Sequence, residues 1–174
     1  IGAFVAAANV ADANGWKVGG QVTSADGDWS ILTNILASGG GVPLDRGGRL
    51  SCFVRSPKVA TFTLRSDEVL GSRKVTTSTS FRDRVNTIIP SCRQEAQKWE
   101  VVAGQAVSVS DWIDDDGGEI RTEEIAFPLV SSYVQAHQLA TYWLCDSREF
   151  LELEVTAKPR ALNVDVGDCI EVEL

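Results

Sequence analysis

The single histidine of the chain, His137, is the first place to look for chemistry. On a helix its neighbours one turn away are Tyr133, Val134, Ala140 and Thr141, none of them a carboxylate or a thiol. An imidazole acting as base or metal ligand needs such a partner to set its tautomer, so His137 reads as a partly exposed helix residue. The run Asp114-Asp115-Asp116-Gly117-Gly118, with Glu119 beyond it, invites a calcium reading. A calcium loop spaces its acids at alternating positions. Adjacent side chains of an extended chain point to opposite faces and cannot converge. Asp114, Asp116 and Glu119 are therefore only weak metal candidates, and a solvated turn is expected. The glycine pairs match neither a dinucleotide fingerprint nor a P-loop. Cys52, Cys92, Cys145 and Cys169 form no CxxC pair and read as buried free thiols in a reducing compartment. Trp16, Trp29, Trp99, Trp112 and Trp143 read as packing residues, with Trp112 beside the acidic turn the one that could stack on a sugar. No catalytic residue, cofactor site or enzyme motif emerges.

The bulk properties narrow the classes further. The 174 residues are enough for one domain with a sizeable core. An apolar fraction of 44% with 23% charged residues argues against extensive disorder. A formal net charge of −8 disfavours a nucleic-acid-binding face and attraction to anionic lipid. The chain has no Met and begins at Ile1, which points to a domain excised from a longer polypeptide. Its opening run IGAFVAAANVA lacks a basic leader and is too short to span a bilayer. That run reads as a buried strand.

The elements that would position these residues follow from periodicity. Residues 1–24 read as short strands, with a Gly-containing strand from Lys17 to Thr23. Asp28 reads as the N-cap of an amphipathic helix near 28–38, ended by Gly39-Gly40-Gly41. Short strands follow at 50–54, 60–64 and 74–81, then at 85–90, with two more joined at Gly104. The stretch from Glu119 to Leu129 is a further strand. Ser132 caps a second helix near 132–147, with Gln135 at the capping-box position and Tyr133, Ala136, Ala140, Trp143 and Leu144 on its packing face. FLELEVTA at 150–157 and DCIEVEL at 168–174 are closing strands. Strands in consecutive runs predict an α+β fold, mainly antiparallel, with two packed amphipathic helices. A β-rich segment 1–72 and a second segment 73–174 divide near the Leu70-Gly71-Ser72 turn.

The order of these features resembles the putative phage tail protein family, which includes the hub region of siphophage tail-tip attachment proteins and the hub proteins of gene transfer agents. Arg84-Val85-Asn86-Thr87-Ile88 looks like the family's strand entry after a Thr/Ser-rich run, with Trp99 a short distance on. Glu123 to Leu129 is similar to the apolar strand before the helix, and Gln135-Ala136 with Ala140 and Leu144 to the helix itself. Val164 to Val172 resembles the closing turn and strand, built on Gly167-Asp168, with Val166 where many relatives have Pro. The match covers about 80–174 well and 5–45 more weakly. The resemblance implies that Asn86, Gln135, Ala136, Ala140, Gly167 and Asp168 are structural residues. It also implies a split barrel-like, tail-hub type of β architecture: 1–72 as part of one hub subdomain and 73–174 as a barrel-like one.

The function so implied is non-enzymatic. It is a domain of a tail-tip hub in the virion of a phage or prophage, assembled in the bacterial cytoplasm. The hub would close the tail tube and join it to the host-recognition tip. Its partners would be other tube, tip or fibre subunits, with a homotrimer in the full-length context. Neither sequence-specific nucleic acid nor membrane insertion is implied. A negatively charged lumen would let DNA slide past. The rival reading is a carbohydrate-binding or adhesion module of a tail fibre or bacterial surface protein, using Trp16 or Trp112.

Overall fold

The computed structural model describes residues 2–23, 26–56 and 58–173. The chain opens with helices α1 (Gly2–Ala13) and α2 (Asp28–Ala37), then the hairpin β1 (Gly41–Asp45) and β2 (Leu50–Val54). Strands β3 (Phe62–Arg65), β4 (Val69–Thr76), β5 (Thr87–Gln94), β6 (Glu100–Ala103) and β7 (Val107–Ser108) follow. After them come α3 (Ser110–Asp115), β8 (Thr122–Phe127), α4 (Tyr133–Ser147), β9 (Glu152–Ala157) and β10 (Ile170–Glu173). The class is α+β, as the consecutive strand runs predict, and most ladders are antiparallel.

The main sheet is built on β5. Its apolar run meets β6 and β7 antiparallel along one edge and β8 in parallel along the other. A central strand must be apolar on its covered face, and Ile88 and Cys92 are fully buried. Helix α4 lies on β5, with Ala136, Leu139, Ala140 and Leu144 turned inward. The small Ala136 and Ala140 let the helix axis approach the sheet, and both are wholly buried. Trp16, Phe127 and Val130 complete that core, with Val10 and Ala11 of α1 at its margin.

Several expectations are overturned. Residues 2–13 are a helix, not short strands. Six of its twelve residues are Ala, which gives up the least entropy in a helix. No residue of α1 is buried, so the buried-strand reading of the opening run fails too. The segment from Lys17 to Thr23 enters no ladder; Gly19 N donates to Leu129 O instead. Gly27, not Asp28, is the N-cap of α2, and Asp28 stands in its first turn. The 74–81 strand starts earlier, at Val69, and ends at Thr76. Four helices are described where two were expected, α1 and α3 being the additions.

The strands do not close into a barrel among the described residues. They form a two-stranded β1–β2 sheet, the β5-centred sheet, and two ribbons. In the ribbons β3 pairs in parallel with β10, and β4 antiparallel with β9. Strands β9 and β10 thus pair away from the main sheet, because the 152–173 segment follows residues 62–76 rather than β5.

Candidate functional site

The polar residues singled out by sequence gather at three junctions, two buried and one at the surface, each tying segments distant along the chain. The first centres on Asp116, whose side chain is wholly buried. Helix α3 delivers it: the acidic run is helical to Asp115, and Gly117 and Gly118 then reverse the chain at positive φ. The carboxylate accepts from Asn86 Nδ2 at 3.0 Å, Arg148 NH1 at 2.9 Å and Arg84 NH1 at 3.4 Å. Burial pushes this carboxyl up. Hydrogen bonds from Asn86 and Arg148, the charge of Arg148 and the bond from Arg84 outweigh it and hold the group below the ordinary carboxylate value. Asn86 also donates to Glu119 O at 2.9 Å and accepts from Arg121 N at 2.8 Å, which locks the entry of β5 to that of β8.

Around Asp116 the arginines interleave with aromatic rings. Arg121 stacks on Phe81 at 3.9 Å, Arg84 lies between Phe81 and Phe150, and Arg148 between Phe150 and Trp112. Each such contact contributes about 0.5–2 kcal/mol. The Nε atoms of Arg84 and Arg121 are buried without a hydrogen-bond partner, consistent with guanidinium planes laid on rings. Sequence reading passed over Arg148, Phe81 and Phe150. Phe81 lies 67 residues before Arg148, and no spacing rule joins this set to Asp116.

The solvated-turn expectation therefore fails at Asp116. Its oxygens are taken up by arginine and asparagine, and Glu119 turns to Arg121. No group of three His, Cys, Asp or Glu suited to a metal occurs among the described residues.

The second junction is Gln135, which is 5% exposed. Its Oε1 accepts from Lys17 N at 3.0 Å, and its Nε2 donates to Lys17 O at 3.0 Å and Ser38 O at 2.7 Å. The side chain supplies the donor and acceptor that a neighbouring strand would offer Lys17. It is not spent on a capping box, although Ser132 does cap α4. Beside it the indole of Trp16 donates to Gln138 at 2.7 Å. Gly40, at φ +68, passes the Trp16 ring so closely that a Cβ would meet it at 3.2 Å.

The third junction is the turn at Asp165-Val166-Gly167-Asp168. Asp168 accepts from Asp165 N at 2.9 Å and closes the turn. Arg46, from the β1–β2 hairpin, donates to Val166 O and pairs with Asp165 and Asp168. Lys58 Nζ donates to Gly167 O at 3.0 Å. Gly167 has φ +90, and a Cβ there would meet Leu44 and Phe53 at 3.1 Å. The turn is pressed onto β1–β2, and only glycine fits.

His137 is half-buried, with both ring nitrogens near backbone carbonyls, of Tyr133 and Gln105. Trp16 is buried and Trp112 half-buried beneath Arg148, so neither offers a free platform for a sugar. Trp29 and Trp99 are the exposed ones, at 55% and 50%. Cys52 and Cys92 are buried free thiols, and burial pushes the Cys52 thiol up. Cys145 is exposed, against expectation, because it lies on the outer side of α4. It lines an open groove of about 520 Å³ with Phe53, Tyr142 and Cys169. No helix among the described residues is long and apolar enough to cross a membrane. The arrangement joins segments; among the described residues these junctions gather no nucleophile, base and oxyanion donors around a common point.

Comparison with known proteins gives the same direction. The family profile described as "Putative phage tail protein" matches residues 30–174. A chain in the structure titled "Virion of native gene transfer agent (GTA) particle" aligns over 97% of this chain and 40% of its own, with TM-score 0.68 and 17% identity. A 43 kDa tail protein of prophage MuSo2 from Shewanella oneidensis aligns over 87% of this chain and 48% of its own, with TM-score 0.49 and 18% identity. The chain thus spans less than half the length of either. No curated protein matches the sequence.

Proposed function

The chain belongs to the putative phage tail protein family, and we propose on that basis that it is a structural domain of a tail-tip hub. In this reading it assembles with other tube, tip or fibre subunits, closes the tail tube and connects it to the host-recognition tip. It acts as a homotrimer within a longer protein, is built in the bacterial cytoplasm and resides in the virion. Segments 1–72 and 73–174 serve as its two subdomains. Asn86, Gln135, Ala136, Ala140, Gly167 and Asp168 hold the fold rather than touch a substrate.

The observation that carries the reading is the family match over residues 30–174. The three junctions support it, since they spend their polar groups on tying segments together. The carbohydrate-binding alternative loses the two tryptophans it rested on, Trp16 and Trp112. Immunogold labelling of purified particles from the phage or prophage that encodes the chain tests the proposal. Label at the tail tip is expected. Particles that lack the protein, or complete tails from a strain deleted for it, overturn the proposal.

A further inference from the structure

The open groove of about 520 Å³ is bordered by one helix face and by extended chain. Tyr142, Cys145 and Asp146 of α4, with Glu149 just past its end, stand at the i, i+3, i+4, i+7 spacing of a single helix face. Opposite them run residues 53–56, leaving β2, and residues 167–169, leading into β10. Successive side chains of a strand point to opposite faces. Consecutive residues from 53 to 56 therefore line the groove through the strand's edge, not through one of its faces.

That edge is unpaired. Arg55 N donates to Gly40 O at 3.0 Å, which sets the phase of the β1–β2 ladder. Antiparallel pairs alternate between bonded and non-bonded. Phe53 thus bonds Val42, whereas Val54 opposite Gly41 and Cys52 opposite Pro43 are non-bonded pairs. Pro43 has no N–H to offer, which agrees with that phase. The N–H and C=O groups of Cys52 and Val54 point away from β1. Strand β2 pairs with β1 alone, and neither backbone finds another partner among the described residues. Both residues are nevertheless buried, Val54 at 7% exposure and Cys52 at 3%. Backbone groups left unmade at buried positions cost free energy, and an added strand would satisfy them.

A main chain is what supplies alternating donors and acceptors at ladder spacing, so the ligand that fits this edge is an extended peptide. The groove's volume is in the range of about 300–1,000 Å³ that holds small ligands, and Phe53, Val54 and Tyr142 give it apolar lining. Its charges narrow the sequence. Arg55 pairs with Asp146, and Asp168 with Arg46. Lys58 and Glu149 are left without an ion pair among the described residues, Lys58 on the strand side and Glu149 on the helix side. A complementary segment carries an apolar residue with an acidic residue for Lys58 and a basic one for Glu149.

We propose that this groove binds an extended segment of another tail subunit, which adds a strand to β2 at Cys52 and Val54 and sets an apolar side chain against Phe53 and Tyr142. The proposal rests on the tail-assembly role above. Capped peptides tiling the other tail proteins of the same phage or prophage, titrated against the chain by fluorescence anisotropy, test it. One tile is expected to bind. N-methylation of its alternate amides, those that donate to β2, weakens binding at least about tenfold, and methylation of the intervening amides leaves it unchanged. This change lies in the peptide and leaves the protein's fold untouched. Cys145→Trp, at an exposed position on α4, fills the groove and weakens binding at least about tenfold. Val134→Glu, also on α4 but outside the groove and 68% exposed, leaves binding unchanged. The absence of any binding tile, a tile indifferent to which amides are methylated, or one that binds Cys145→Trp like the parent would overturn the proposal. Gold label at the tail tip without a binding tile overturns this site alone, whereas particles that lack the protein overturn the tail-tip reading.

Discussion

Asp116 and Gln135 each have a buried side chain whose polar atoms reach segments far apart in sequence. Removing one partner from a buried charge network costs more than the network contributes, because the remaining charges are left desolvated. Asp116→Asn removes the charge that Arg84 and Arg148 share, and it lowers stability by about 3 kcal/mol, read from urea unfolding. The folded-state value of Asp116 lies below its unfolded one. Its contribution is therefore present above about pH 4 and is lost as pH falls through the lowered folded value. Unfolding followed across acid pH in the wild type and in Asp116→Asn isolates this part, which the variant lacks. Gln135→Glu is nearly isosteric but turns an oxygen toward the carbonyls of Lys17 and Ser38. It destabilises by about 2–4 kcal/mol and at least as much as Gln135→Ala, a ranking that thermal melts decide. At this scale the sequence showed the residues but not their roles. Asn86 and Gln135 stood out through family resemblance, whereas Arg148 gave no signal, since Asp116 lies 32 residues before it.

At the scale of elements, periodicity served well where one face was clearly buried. Helix α4 and strands β5 and β8 fall near where their apolar patterns put them, because packing against one core imposes the period, and β9 follows its alternation in a ribbon outside that core. Prediction failed at α1, where an Ala-rich run is compatible with strand or helix by hydrophobicity alone and helix propensity decided. It failed again at the acidic run, where three consecutive aspartates suggested a solvated turn. A short helix instead turned the last of them inward. The 165–168 turn was legible as a turn, but not its docking on β1–β2. Gly167→Ala must adopt a positive φ and displace Leu44 or Phe53, so it costs about 2 kcal/mol. Arg46 keeps the turn closed meanwhile, and thermal melting of the variant measures the cost.

At the scale of the whole molecule, the sequence by itself determined the α+β class, the amphipathic helix that packs on a sheet and the family, because these rest on local periodicity and ordered motifs. It also set the formal net charge of −8, since charge is additive along a chain. The tertiary structure alone decided the rest. Among the described residues the expected barrel does not close, because β9 and β10 pair with β4 and β3 and leave the β5 sheet without them. Strand pairing is a long-range choice that no period-2 pattern encodes, as each amphipathic strand fits several neighbours equally well. The same holds for Asp116, whose partners became neighbours only once α3, α4 and β5 had packed.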